Sequence, residues 1–139
     1  MVGPSRGQQI DLGNLAFVAV HIGRIGQARA RLEEAVNVAR DLGSPKLLGD
    51  LLSNKAGFDR DWGDLNTAIA SYEESNTIYA RTGLLSGTYL NNAEMAIAYL
   101  RLDQFDRAVE LFTPSASMLL ADPEFRADAG TLLIWPSVG

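Results

Sequence analysis

The chain has 139 residues, 12 basic and 17 acidic side chains, a net charge of -5 and a hydrophobic content of 47%. That apolar content excludes a disordered polar tail. The acidic balance argues against a nucleic-acid binder, which needs a basic footprint on the phosphates. With no cysteine and one histidine, His21, the chain has no disulfide frame, no thiol chemistry and no histidine-built metal site. Composition therefore points away from catalysis, cofactors and metals.

The first residues, Met1 to Gln9, are polar and glycine-rich. They lack the apolar run of a secretory signal, and Ala16–Val20 is too short to span a bilayer. Residues 1–7 read as a flexible start, and the expected location is the cytoplasm. Charge is uneven: residues 1–46 hold six basic and four acidic side chains, residues 47–139 six and thirteen.

Helical periodicity then runs through the chain. A first helix is expected over residues 9–22, followed by a turn at Gly23-Arg24-Ile25-Gly26 and a second helix over 25–42. In the second helix Ala28, Leu32, Ala35, Val36 and Ala39 fall at steps of three and four. Gly43 stands where a helix needs a left-handed terminating residue. Ser44-Pro45 places a capping oxygen before a proline in the first turn of the next helix, 45–62. Gly63-Asp64 reads as the following turn, with Asp64 capping a helix over 65–82 that ends at Gly83. Helices over 86–102 and 105–121 follow. Asp122-Pro123 then opens a further apolar segment, with Phe125, Leu132, Leu133 and Trp135.

These elements repeat at an offset of forty. Gly23, Gly63 and Asp103 align, as do Ile25, Leu65 and Phe105. Ala28, Ala68 and Ala108 align, then Leu32, Tyr72 and Phe112; earlier in each unit Ala16, Ala56 and Ala96 align. The units are about 8–43, 44–83 and 84–122, with a partial fourth over 123–139. Small residues on facing helices let their axes approach, and the large residue four positions on fills the space between units.

The pattern resembles the tetratricopeptide repeat, with its small residue and aromatic in the first helix and Ala-x-x-x-Phe in the second. Unit three carries it best, in Met95-Ala96-Ile97-Ala98-Tyr99 and Ala108-Val109-Glu110-Leu111-Phe112. Units one and two depart from it: Ala19 and Asp59 stand in the place of Tyr99, and Lys55 in that of Met95. The usual period is thirty-four. The forty-residue form is similar to repeats of large bacterial signal-transduction regulators, kinesin light chains and some G-protein scaffolds. The fold expected is all-α: a right-handed superhelical solenoid of antiparallel helix pairs, about seven helices in a single domain over 8–139.

The resemblance implies that first helices line a groove for a partner peptide or helix. Its contact positions map onto Phe17, Val20 and His21 in unit one. They map onto Asn54, Arg60 and Asp61 in unit two, and onto Ile97, Leu100 and Arg101 in unit three. Apolar walls flanking a charged patch suit an amphipathic segment. The chaperone-tail clamp found in some such domains is not expected, because only Asn54 matches its carboxylate-binding places and Glu94 opposes one. The cluster Asp59-Arg60-Asp61-Trp62-Gly63-Asp64 fails as a calcium loop, since glycine stands at the fifth place and Asp64 at the sixth. Glu33-Glu34 and Glu73-Glu74 point about 100° apart and cannot flank one bond. An exposed Lys55–Asp59 pair is expected, and Trp62 is expected to pack between units.

The function expected is non-catalytic protein or peptide binding, without nucleic acid or membrane. An alternative is a regulatory or sensor fragment of a larger multidomain regulator. The apolar C-terminal end either caps the stack or pairs with another copy as a homodimer.

Overall fold

The computed structural model describes the backbone of residues 6–122 and the side chains of residues 18–122. Five helices follow one another in this span: α1 (Arg6–Leu42), α2 (Pro45–Trp62), α3 (Leu65–Thr82), α4 (Leu85–Arg101) and α5 (Phe105–Ala121). No strand occurs among the described residues. Each helix packs on the next, and α2 also touches α4. The expected fourth unit, 123–139, lies outside the described residues, as does the homodimer expected through it.

The helices from Pro45 onward fall where periodicity places them. The first unit does not: in place of two helices and a turn there is one continuous helix of 37 residues. Two local facts explain why the turn fails. The equivalent turn after α2 is closed by Asp64, whose carboxylate accepts from the Thr67 N–H at 3.1 Å and the Thr67 hydroxyl at 2.7 Å. Unit one carries Arg24 at that place, which offers no capping oxygen. The turn after α4 uses Asp103 at φ 59°, whereas only Gly43 and Gly83 among the described glycines take positive φ. Gly23 and Gly26 stay helical despite a cost of about 1 kcal/mol each against alanine. The described residues thus hold five helices rather than about seven, with two helix pairs and one long helix.

Gly43 at φ 67° and Gly83 at φ 75° end α1 and α3 as expected. Pro45 opens α2, but the Ser44 side chain makes no capping bond.

The core is centred on α2, α3 and α4. Ala56, Ala68, Ile69, Tyr72, Met95 and Ala98 form one buried cluster, with Leu65, Tyr99, Leu102 and Leu111 packed on it. Ala56 and Ala68 are wholly buried, which is the close approach of helix axes that small residues permit. Tyr72 fills the space between units two and three, as expected. Its counterparts do so less: Leu32 is half-buried and Phe112 is 53% exposed. Trp62 is 60% exposed and does not pack between units.

A buried row of polar groups fixes the register of these helices. Ser75 donates to the Gly49 carbonyl at 2.8 Å, Asn91 Nδ2 donates to Ser75 at 2.9 Å and to Asn76 at 2.9 Å, and Ser53 donates to Asn91 Oδ1 at 2.6 Å. Each partner is specified, so a one-turn slip would leave several buried groups unpaired. Beyond this row the Tyr79 ring lies between two glycines. A Cβ at Gly49 would stand 2.9 Å from the ring, and one at Gly87 2.6 Å from it. The Tyr79 hydroxyl donates to Asp50 Oδ1 at 2.5 Å and pins the ring from its tip.

Candidate functional site

The ends of α2 and α4 lie side by side because α3 holds both. Arg101 Nη1, at the end of α4, donates to the Arg60 carbonyl at 2.9 Å and to Asp61 Oδ1 at 3.2 Å. Arg60 grips the same carboxylate with two bonds, from Nε at 3.1 Å and Nη2 at 3.3 Å. Its Nη1 lies 3.3 Å from the Tyr72 hydroxyl, which donates to Glu94 Oε2 at 2.9 Å. A polar chain therefore runs Arg101–Asp61–Arg60–Tyr72–Glu94, linking α2 and α4 through Tyr72 of α3.

Burial pushes the Tyr72 phenol up from its ordinary value, and the neighbouring Glu94 charge adds to this. The hydroxyl thus remains a donor. Hydrogen bonds from Arg60, supported by Arg101, hold the Asp61 carboxyl below its ordinary value. A carboxyl with a lowered folded pKa stabilises the fold above its unfolded pKa of about 3.9, and this contribution is lost as pH falls through the folded value. Asp61→Asn should therefore lose less stability than the native chain between about pH 5 and pH 3, read by urea unfolding at each pH. Equal losses would place the acid sensitivity elsewhere.

Apolar groups flank this chain on α4. Leu90, Ile97 and Leu100 are 42%, 39% and 47% exposed. Ile97 stands one turn before Arg101 and is three residues from Leu100, so the three share one side of α4. On α2, the exposed Asn54 stands two turns before Asp61. The structure thus brings Arg60, Asp61 and Arg101 into contact, with Ile97 and Leu100 beside them and Asn54 on the neighbouring helix. Leu90 and Glu94, which stand at the carboxylate-clamp places of the resembled family, are on this face too, and the buried Tyr72, which the groove positions did not include, supports it from beneath through Glu94. The signal for Tyr72 and Glu94 is their separation of twenty-two, which joins the middle of a second helix to the next first helix.

The three positions of unit one fall elsewhere. The backbone of α1 approaches that of α2 alone. Arg29 marks where α1 passes the end of α2: it donates to the Trp62 carbonyl at 3.0 Å and covers the Phe58 ring at 5.6 Å. Val20 and His21 are exposed and precede this point on α1. Phe17 is in the same part, and its side chain lies outside the described residues. Val20 and His21 are thus not joined to the α2–α4 face by α1 packing.

The Lys55–Asp59 pair, expected to be exposed, is largely buried. Lys55 Nζ stands 2.8 Å from Asp59, whose side chain is 5% exposed, and Arg29 approaches the same carboxylate at 3.8 Å. The reason is α1, which lies across this side of α2. Among the described residues no group of three or more histidine, cysteine or acidic side chains is placed to hold a metal ion, and no described helix is long and apolar enough to cross a membrane. A separate cleft of roughly 270 Å³ opens between the α1–α2 turn and the end of α3, walled by Ala39, Pro45, Leu48 and Ile78. No acid–base pair converges on it.

No protein-family model, curated protein or solved structure matches the chain.

Proposed function

We propose that the chain is a non-catalytic interaction module of tetratricopeptide-like design. It binds an amphipathic peptide or helix along the face formed by α2 and α4. The observation that carries this reading is the exposed apolar side of α4, Leu90, Ile97 and Leu100, set against a polar chain already held in place. A short apolar stripe beside fixed charges suits a partner with two or three apolar anchors at helical spacing and a few charges. Pre-ordered side chains such as Arg60 and Arg101 lower the entropy cost of binding. The forty-residue repeat, with its small residues at matching places, supports the same reading.

The test is selection from a displayed random peptide library against the whole chain. Peptides recovered on the native protein should bind Ile97→Asp and Leu100→Asp at least tenfold more weakly, and Arg101→Ala a few-fold more weakly, with unfolding midpoints unchanged. Anchors of this kind are worth about 1–2 kcal/mol or more. Binding unaffected by all three variants would remove the α2–α4 face from the account.

A further inference from the structure

We infer that the cleft between the α1–α2 turn and the end of α3 binds a small aromatic carboxylic acid, with the ring among its apolar walls and the carboxylate on Arg81. The cleft holds roughly 270 Å³, just below the range of about 300–1,000 Å³ usual for drug-sized ligands. Its walls are Ala39 on α1, Pro45 and Leu48 on α2, and Ile78 on α3. Three helices thus meet around an apolar space sized for one ring and a short arm.

The forty-residue repeat explains why this space is open. At the next junction the place of Ala39 is held by Tyr79. The Tyr79 ring is 6% exposed and fills the gap between α2 and α4. At the first junction a methyl group stands in its place and reaches less far. Leu47 stands in the place of Gly87, but it is 42% exposed and is not one of the cleft's walls. The second junction therefore carries an aromatic ring of its own, and the first leaves room for one from outside.

The charges at the rim select an acid. Two arginines reach the cleft, Arg40 from α1 and Arg81 from α3. Arg40 is already held by Glu74 at 2.7 Å. Arg81 pairs with no acidic side chain among the described residues, and no described acidic side chain lines the cleft. A guanidinium matches a carboxylate with two parallel N–H donors. An amine in the same place would meet two like charges, and a neutral ring would gain from burial alone. The cleft shares no residue with the α2–α4 face, so the inference stands whether or not that face binds peptide.

The probe is phenylpropionate, one ring on a short acid arm, titrated into the full chain and followed by amide chemical shifts. Saturable shifts centred on Ala39, Leu48, Ile78 and Arg81 are expected, with a dissociation constant of about 1 mM or below. Phenylpropionamide keeps the ring and loses the charge, and should bind the native chain about five- to tenfold more weakly. Arg81 is exposed, so its variants should fold as the native chain does. Arg81→Gln should weaken the acid by the same factor and leave the amide unchanged, so that the two bind alike. Arg81→Glu should abolish binding of the acid. Three results would each overturn the proposal: no saturation by about 10 mM, shifts centred away from the cleft, or equal binding of acid and amide to the native chain.

Discussion

Tyr72→Ala should lower the free energy of unfolding by about 3–5 kcal/mol, the usual loss for deleting a buried aromatic ring. Tyr72 is 0% exposed and lies in the cluster that joins α2, α3 and α4. Removing it leaves a cavity among Ala56, Ala68 and Met95 that small residues cannot collapse to fill. It also leaves Glu94 without its phenol donor. Because a domain of this size holds only about 5–15 kcal/mol in total, the variant should sit near the edge of folding at 37 °C. Tyr72→Phe separates the two contributions: it keeps the ring and loses only the hydroxyl, at about 0.5–1.5 kcal/mol. Urea unfolding checks both values. A loss below about 1 kcal/mol for Tyr72→Ala would mean that units two and three are not joined through this ring.

The second large effect is one of sign. Gly87→Ala lies in the first turn of α4, where helix propensity alone would stabilise the chain by up to about 1 kcal/mol. The structure reverses this. The new Cβ would stand 2.6 Å from the Tyr79 ring. The ring has nowhere to go, since Gly49 borders it on the other side and Asp50 holds its hydroxyl. A net destabilisation of about 1–3 kcal/mol is expected, the usual range for overpacking. Thermal unfolding of Gly87→Ala beside Gly26→Ala, where space is open, should show midpoints moving in opposite directions. A stabilised Gly87→Ala would contradict the ring's position between the two helices.

Four of the five helices were legible in the sequence to within a residue or so, because their ends carry local chemistry. Gly43, Pro45, Asp64 and Gly83 each act through their own backbone or side chain, and such signals need no knowledge of the fold. Unit one was misread for a related reason. Gly23 and Gly26 occupy the turn places of the repeat, but a glycine permits a turn without demanding one. Without a cap at Arg24 or a left-handed residue, the helix continues. The candidate face was legible in part. Spacing placed Arg60, Asp61, Ile97, Leu100 and Arg101 on first helices, and the structure sets them together at the ends of α2 and α4. The burial of Lys55 and Asp59 was not legible, since it depends on α1 lying across α2. The sandwich of Tyr79 between Gly49 and Gly87 was hidden because it joins three helices through residues with no shared periodicity.

The helices also leave one face whose counterpart is covered elsewhere. Val109 and Phe112 on α5 are 61% and 53% exposed, while Ile69 and Tyr72, forty residues earlier, are buried at 8% and 0%. The earlier pair is covered by α4. This second apolar surface makes the location of partner binding a real choice between two faces.

Amide chemical-shift mapping of the whole chain with a library-selected peptide decides between them. Binding along α2 and α4 predicts the largest shifts at Asn54, Asp61, Ile97, Leu100 and Arg101, with α5 nearly unmoved. Shifts centred on Val109 and Phe112, with Ile97 and Leu100 unchanged, would contradict it.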